Sequence, residues 1–269
     1  SERKQGVVGH MSHIPGEHAL WREAGRGFGR LFRASAGFEW WQSPTATLAV
    51  SGIPAPDLNC GLIDGGEAVA ENVAAVAGRL RDRRLPGLVL VTDAAGDEGR
   101  SAAAAAGLVP VARMPLMAMA ARARGVQPSA FTVRRATHAA DLLAANRVMA
   151  AAFELPPDEV EEAFPAAMLS ATDIRVDLVL DDDEPVGALQ TTSENGLTGI
   201  WSMATLPHHR RRGIARAGLA DALTRLFFEG CHTAFLIATE AGRPLYDAIG
   251  FEVVAWSDAW LCERDSRSG

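Results

Sequence analysis

A chain of 269 residues, 48% hydrophobic and 22% charged, has the composition of a soluble globular protein with room for two domains. Its net charge of −7 and pI near 5.5 argue against nucleic-acid binding, and the lack of an 18-residue apolar run argues against a membrane span. The three cysteines, Cys60, Cys231 and Cys262, show neither metal-ligand spacing nor a disulfide framework, which suits a reducing cytoplasm and a protein without a metal.

Residues 1–16 read as a tag or disordered arm. Ser1 to Met11 lacks the apolar core of a signal peptide, and Gly9-His10-Met11 resembles an expression scar that would start the natural chain at Met11. Residues 17–120 read as one domain. Ala46 to Ser51 and Asn59 to Ile63 are expected strands, and Glu67 to Arg84 is an amphipathic helix. Leu88 to Thr92 is a buried strand, a short helix ends at Gly107, and Val109 to Ala120 is the last strand. The run Ala102 to Ala106 belongs to that helix rather than to a low-complexity tract. Trp21, Trp40 and Trp41 are assigned to apolar packing in preference to an acceptor pocket at the domain junction. Ala121 to Ser129 is polar and carries Gly125 and Pro128, so residues 121–130 read as a linker.

Residues 131–262 form the second expected domain, followed by a tail at 263–269. Phe131 to Ala136 is a short strand, and Thr137 caps a helix reaching about Phe153. Pro156-Pro157-Asp158 opens a helix running towards Met168. Asp173 to Leu180 and Pro185 to Thr192 form a hairpin about the turn Asp181 to Glu184. Ile200 to Leu206 is a strand closed by Pro207, which cannot donate to a ladder. From Ile214 the apolar positions recur at helical spacing until Gly230. Thr233 to Ala238 is a strand, and Glu252 to Leu261 is the last one. Between them lies a short helix carrying Tyr246, the only tyrosine in the chain.

The strongest chemical signal is Arg210-Arg211-Arg212-Gly213-Ile214-Ala215. Strand, turn and helix put Gly213 at a helix N-terminus, where backbone N–H groups without intrahelical partners and the helix dipole favour an anion. Gly213 lacks a Cβ and permits a close approach. A nucleic-acid patch of His208, His209 and the arginines is disfavoured by the acidic chain, so a small, multiply charged anion fits better.

The run Met203 to Ala215 resembles motif A of the GNAT acyltransferase superfamily, with Arg210, Gly213 and Ala215 at the three defining places. Ala238 to Tyr246, followed by Gly250-Phe251, resembles that family's motif B at matching spacing. The resemblance covers roughly residues 130–262. It implies an α/β (α+β) GNAT fold, a mixed central sheet flanked by helices, and acetyl-CoA or coenzyme A as the donor. By resemblance the amides of Arg211, Arg212, Gly213, Ile214 and Ala215 hold the pyrophosphate, with Arg210 and Arg216 beside them. Met203, Ala204 and Thr205 face the pantetheine arm, and Tyr246 inherits the role of general acid. The glutamate that many relatives carry on the strand before motif A is absent. Glu194 is named as base, with Asp173, Glu240, His208 and His209 as further candidates and Ser202 as a relay.

Residues 17–120 repeat the second half of that element order without the basic turn or a tyrosine, and Gly107-Leu108 echoes Gly250-Phe251. They read as a degenerate GNAT-like domain. The alternative is an unrelated α/β domain. Tandem proteins of this sort are common in bacteria with GC-rich genomes, and the single lysine, Lys4, beside many arginines suits such a source. The expected function is acetyl transfer from acetyl-CoA directly to a small-molecule amine by a monomer or homodimer. No acyl-enzyme is expected, because Cys231 and His232 are strand neighbours on opposite faces. The alternatives are a longer acyl donor, a hydroxyl or protein amine as acceptor, and a non-catalytic acyl-CoA sensor. Glu154, Asp158, Glu159, Glu161 and Glu162 would suit a cationic acceptor, though they also fit a solvated helix face.

Overall fold

In the computed structural model the described residues, 14–121 and 129–264, build a mixed α/β structure around one 11-stranded sheet. The linker core at 122–128, the extreme N-terminus and the last five residues lie outside them. The N-terminal half runs α1 (Glu17–Phe32), β1 (Glu39–Gln42), β2 (Ala46–Val50), β3 (Asn59–Ile63), α2 (Val69–Asp82), β4 (Gly87–Thr92), α3 (Gly96–Ala105) and β5 (Val109–Ala120). The C-terminal half runs β6 (Thr132–Arg135), α4 (Ala139–Phe153), α5 (Pro157–Ala163), β7 (Ile174–Asp181), β8 (Glu184–Glu194) and β9 (Leu197–Thr205). It continues through α6 (Ile214–Phe228), β10 (Thr233–Ile237), α7 (Arg243–Ile249) and β11 (Glu252–Cys262).

Most expected elements form close to their predicted bounds, because the apolar periodicity and the turn residues agree. The β7–β8 turn has Asp182 and Asp183 at φ 46° and 70°, and the β8–β9 turn has Asn195 and Gly196 at 50° and 76°. Both are two-residue hairpins, whose preferred turns place both residues at positive φ. Asn195-Gly196 also starts β9 at Leu197, three residues earlier than the apolar run suggests. Helix α5 stops at Ala163 instead of reaching towards Met168, since Pro165 cannot continue it and a 3₁₀ turn takes over at Ala166–Ser170.

Helix α1 has no counterpart among the expected elements. Its sequence places Gly25, Gly27 and Gly29 within five residues, and glycine is the poorest helix former after proline. Tertiary packing supplies the reason. A Cβ on Gly25 would lie 2.3 Å from Thr47 Oγ1, on Gly27 2.5 Å from the Trp201 ring, and on Gly29 2.8 Å from the Trp40 ring. The helix backbone therefore lies directly on the sheet. Trp21 is buried in the same core, Trp40 packs on its edge, and Arg79 sits 5.2 Å over the Trp41 ring.

The strand order is β1-β2-β3-β4-β11-β5-β10-β9-β8-β7-β6. Each half contains a parallel pair, β3–β4 and β9–β10, and each would be expected to add its own final strand beside it. The final strands are instead exchanged. β5 pairs antiparallel with β10 of the other half, β11 pairs antiparallel with β4, and the two run against each other at the centre. The halves correspond in detail. Leu108 N–H donates to the Ala103 carbonyl at 3.0 Å after Gly107 at φ 72°, and Phe251 N–H donates to the Tyr246 carbonyl at 3.0 Å after Gly250 at φ 103°. Ala103 thus stands where the C-terminal half carries Tyr246.

Helices α1, α4 and α5 share one core, whose sheet contribution includes Trp201, Ala204 and Phe235. Helices α6 and α7 close the opposite face of the central strands over Ile200, Leu236 and Met117. Helices α2 and α3 cover the N-terminal strands.

Candidate active site

Parallel strands β9 and β10 pair only at their beginnings, Leu197 to Gly199 with Thr233 to Phe235. Among the described residues no strand hydrogen-bonds that edge of β9 beyond Gly199, while β10 continues along β5. On its other edge β9 is bulged against β8, since Gln190 faces Trp201 whereas Ala188 faces Ala204. Ser202 takes up the extra residue at φ 48°, a left-handed backbone at the site of a local kink. The result is a cleft between β9 and β10 that opens towards the C-terminal end of β9. In the N-terminal half β3 and β4 stay zipped over four consecutive positions, Cys60 to Ile63 with Leu88 to Val91, and no such cleft forms.

Chain from the open end of β9 passes through Pro207–His209 into the basic turn. Arg211 has φ 63° and Gly213 φ 89°, both left-handed, and Ile214 begins α6. After Arg210, whose amide donates to the Pro207 carbonyl, the next amide with a backbone partner is Ala217, which donates to the Gly213 carbonyl at 2.9 Å. The amides of Arg211 to Arg216 have no partner among the described residues, as expected where a turn meets a helix N-terminus. Gly213 is glycine for its backbone angle, because a Cβ there would meet nothing within 4 Å.

The four arginines divide into two roles. Arg210 donates to the Ala152 carbonyl at 2.9 Å near the end of α4, and Arg212 pairs with Asp181 at 2.8 Å and contacts His209. These two pin the turn to α4 and β7. Arg211 and Arg216 are exposed and have no side-chain partner among the described residues, which leaves their charge to whatever occupies the turn.

Tyr246 lies on α7, packed edge-on to Phe251 with ring centroids 6.0 Å apart and against the core that contains Ile200 and Met203. Burial pushes its phenol up to about 12, and its hydroxyl has no hydrogen-bond partner among the described residues. The side chain is therefore a protonated donor throughout the neutral range.

Glu194 is placed differently. It lies at the hairpin end of β8, beside Leu197, where β9 and β10 are still paired. Its carboxylate is bound by Arg30 of α1. Arg30 is buried and also holds Glu23 at 2.5 Å and Asp173 at 3.6 Å, while Arg33 engages Asp173 in a bidentate pair. The Arg33 guanidinium draws the Asp173 carboxyl below the usual range. Two of the carboxylates considered as bases thus belong to one ion cluster joining α1 to the C-terminal half. Arg30 itself escaped sequence reasoning because the glycine-rich helix that carries it did. The other candidates stand apart: Glu240 and His208 are exposed, and His209 neighbours Arg212. Cys231 precedes β10 and donates to the Thr233 carbonyl, with its thiol raised by burial. The acidic residues Glu154, Asp158 and Glu162 are exposed, and Glu159 and Glu161 are half-buried on α5. No group of three His, Cys, Asp or Glu side chains that could hold a metal occurs among the described residues. No helix there is long and apolar enough to cross a membrane.

Residues 144–251 match the family model described as the acetyltransferase (GNAT) family. No curated protein matches the chain. Among solved structures, a GCN5-related N-acetyltransferase from Kribbella flavida is 19% identical with a TM-score of 0.67 and covers 92% of this chain and 96% of its own. A GCN5-related N-acetyltransferase from Sphaerobacter thermophilus is 17% identical with a TM-score of 0.59, covering 81% and 80%. A tandem GNAT protein from the clavulanic acid biosynthesis pathway is 13% identical with a TM-score of 0.56, covering 87% and 86%. At these identities the likeness is one of fold, and it extends over both halves.

Proposed function

Residues 144–251 match the acetyltransferase (GNAT) family, and from that premise we propose that this chain is an enzyme of that family and transfers an acetyl group from acetyl-CoA directly to a small-molecule amine. The observation that carries the reading is the continuity of the unpaired edge of β9 with the free amides of Arg211 to Arg216. An extended pantetheine arm can hydrogen-bond to Met203, Ala204 and Thr205 as a strand would. The pyrophosphate then falls on the turn, beside Arg211 and Arg216. The thioester end lies towards the apex of the cleft, on the α7 side that carries Tyr246.

Attack by a neutral amine produces a tetrahedral centre that collapses by breaking the C–S bond. Tyr246 donates its phenolic proton to the departing sulfur, whose conjugate thiol is far more acidic than a phenol raised to about 12. Between free groups that transfer is uphill, so the phenol acts by hydrogen-bonding to the sulfur as negative charge develops on it, and the tyrosinate regains its proton from the acceptor ammonium or solvent. The acceptor ammonium must lose a proton to solvent or to a relay. Glu194 is better assigned to holding α1, because Arg30 satisfies its charge at the closed end of the strand pair. The N-terminal half, with zipped strands and Ala103 at the tyrosine position, contributes structure without a second donor site. These features support one active site per chain.

The reading is tested by following free thiol released from acetyl-CoA across a panel of amines. Saturable coenzyme A binding without turnover on any amine would favour a sensor. Faster turnover with longer acyl donors or with peptide amines would move the assignment to another acyl group or acceptor. Gly213→Ala forces a side chain into the left-handed region at about 1–2 kcal/mol, so coenzyme A should bind about five- to thirtyfold more weakly. Unchanged affinity would place the pyrophosphate elsewhere. Because the phenol stays protonated well above neutrality, the alkaline side of the rate profile should show no loss from Tyr246 below about pH 11.

A further inference from the structure

A crevice of about 820 Å³ lies in the N-terminal half, between α1 and the end of β3, well apart in sequence and strand order from the β9 cleft. Its wall on α1 is His18, Arg22 and Arg26, one residue from each of three successive turns. The opposite wall is the β1–β2 turn, Gln42 to Thr45, with Asp64 and Gly65 at the end of β3. The charges are unequally used. His18 is bound to Asp64 at 2.8 Å, and Asp64 further accepts from Thr92 and from the Gly65 amide. Arg22 has no ion-pair partner among the described residues, and Arg26 reaches only Glu23, at 3.9 Å. Thr47, itself 8% exposed, also lines the crevice, although its hydroxyl is turned against the α1 backbone at Gly25. In a chain of net charge −7, an unpaired guanidinium and a second held only by a 3.9 Å contact, one helical turn apart and lining a cavity of ligand size, stand out.

We propose that this crevice binds the phosphate group of a phosphorylated small molecule. A carboxylate has two oxygens, which one guanidinium satisfies in a bidentate pair. A phosphomonoester offers three and is dianionic near neutrality, so it can be shared between Arg22 and Arg26. The zipped β3–β4 pair leaves no slot for a threaded pantetheine arm, so the occupant is not a second acyl-CoA held as in the β9 cleft. The volume beyond the arginines accommodates the rest of the molecule beside Gln42 and Thr45.

The test is calorimetric titration of the full chain with phenyl phosphate in phosphate-free buffer, with coenzyme A present in excess so that the C-terminal turn is filled. Saturable binding is expected, weaker by at least about tenfold in Arg22→Ala/Arg26→Ala and much weaker for benzoate than for phenyl phosphate. Coenzyme A affinity of the double variant should match the parent, which separates this site from the β9 cleft. Arg22→Lys/Arg26→Lys keeps the charge, loses the fork, and should fall between the two. Absence of saturation, equal binding of benzoate, or binding untouched in the alanine variant would each overturn the proposal. If coenzyme A fails to bind at all, the donor reading fails while the phenyl phosphate result still decides this one.

Discussion

Tyr246→Phe is expected to lower kcat by about ten- to a thousandfold while leaving coenzyme A affinity almost unchanged. The substitution removes one oxygen and keeps the ring that packs on Phe251 and on the core above β9. The missing hydroxyl has no partner among the described residues, so its loss strands no other polar group and should cost little stability. The defect therefore belongs to the chemical step. It should shrink with a donor whose leaving thiol is more acidic, since such a thiolate departs without a proton. Equal turnover of the two proteins would remove the general-acid role, and a parallel loss of coenzyme A binding would make the residue a packing element.

Arg30→Ala is expected to destabilise the fold by about 3–5 kcal/mol, the range for removing one partner from a buried ion cluster. Arg30 is buried and contacts three carboxylates, of which Glu23 is buried and Glu194 and Asp173 lie nearer the surface. Burial already raises the Glu23 carboxyl above its ordinary value despite Arg30. Without the guanidinium it should rise further. A carboxyl whose folded pKa exceeds its unfolded value binds more protons when folded, so that contribution is fully present below the unfolded pKa and is lost as pH rises through the folded one. The variant's deficit should accordingly be smallest in acid and grow towards neutral pH. Denaturant unfolding at several pH values measures it. A deficit below about 1 kcal/mol at neutral pH would mean that the cluster is worth no more than a surface pair.

The basic turn and its glycine were legible because their signal is local. A strand closed by Pro207, an arginine run and a periodic apolar helix define the strand–turn–helix geometry within one continuous stretch, Leu197 to Phe228. The same holds for the hairpins, where Asp182-Asp183 and Asn195-Gly196 match the required backbone angles. Glu194 shows the opposite case. Its position in the turn before β9 suggested a base, but its charge is taken by Arg30, 164 residues away in sequence. Helix α1 was hidden for a related reason: Gly25, Gly27 and Gly29 lower local helix propensity, and only the close approach of Thr47, Trp201 and Trp40 explains them.

By itself the sequence determined the order of most elements, the glycine-dependent turn at the start of α6, and the single phenol on α7. Each depends on neighbours in the chain, through backbone angles, periodicity and capping. Only the tertiary structure decided that β5 and β11 change places, that β9 and β10 part after Gly199 while β3 and β4 do not, and that α1 braces one half against the other. Strand pairing depends on partners far away in sequence, and an apolar strand carries no mark of which half will receive it. The exchange of final strands, which makes one sheet from two halves, is therefore written in packing rather than in local pattern.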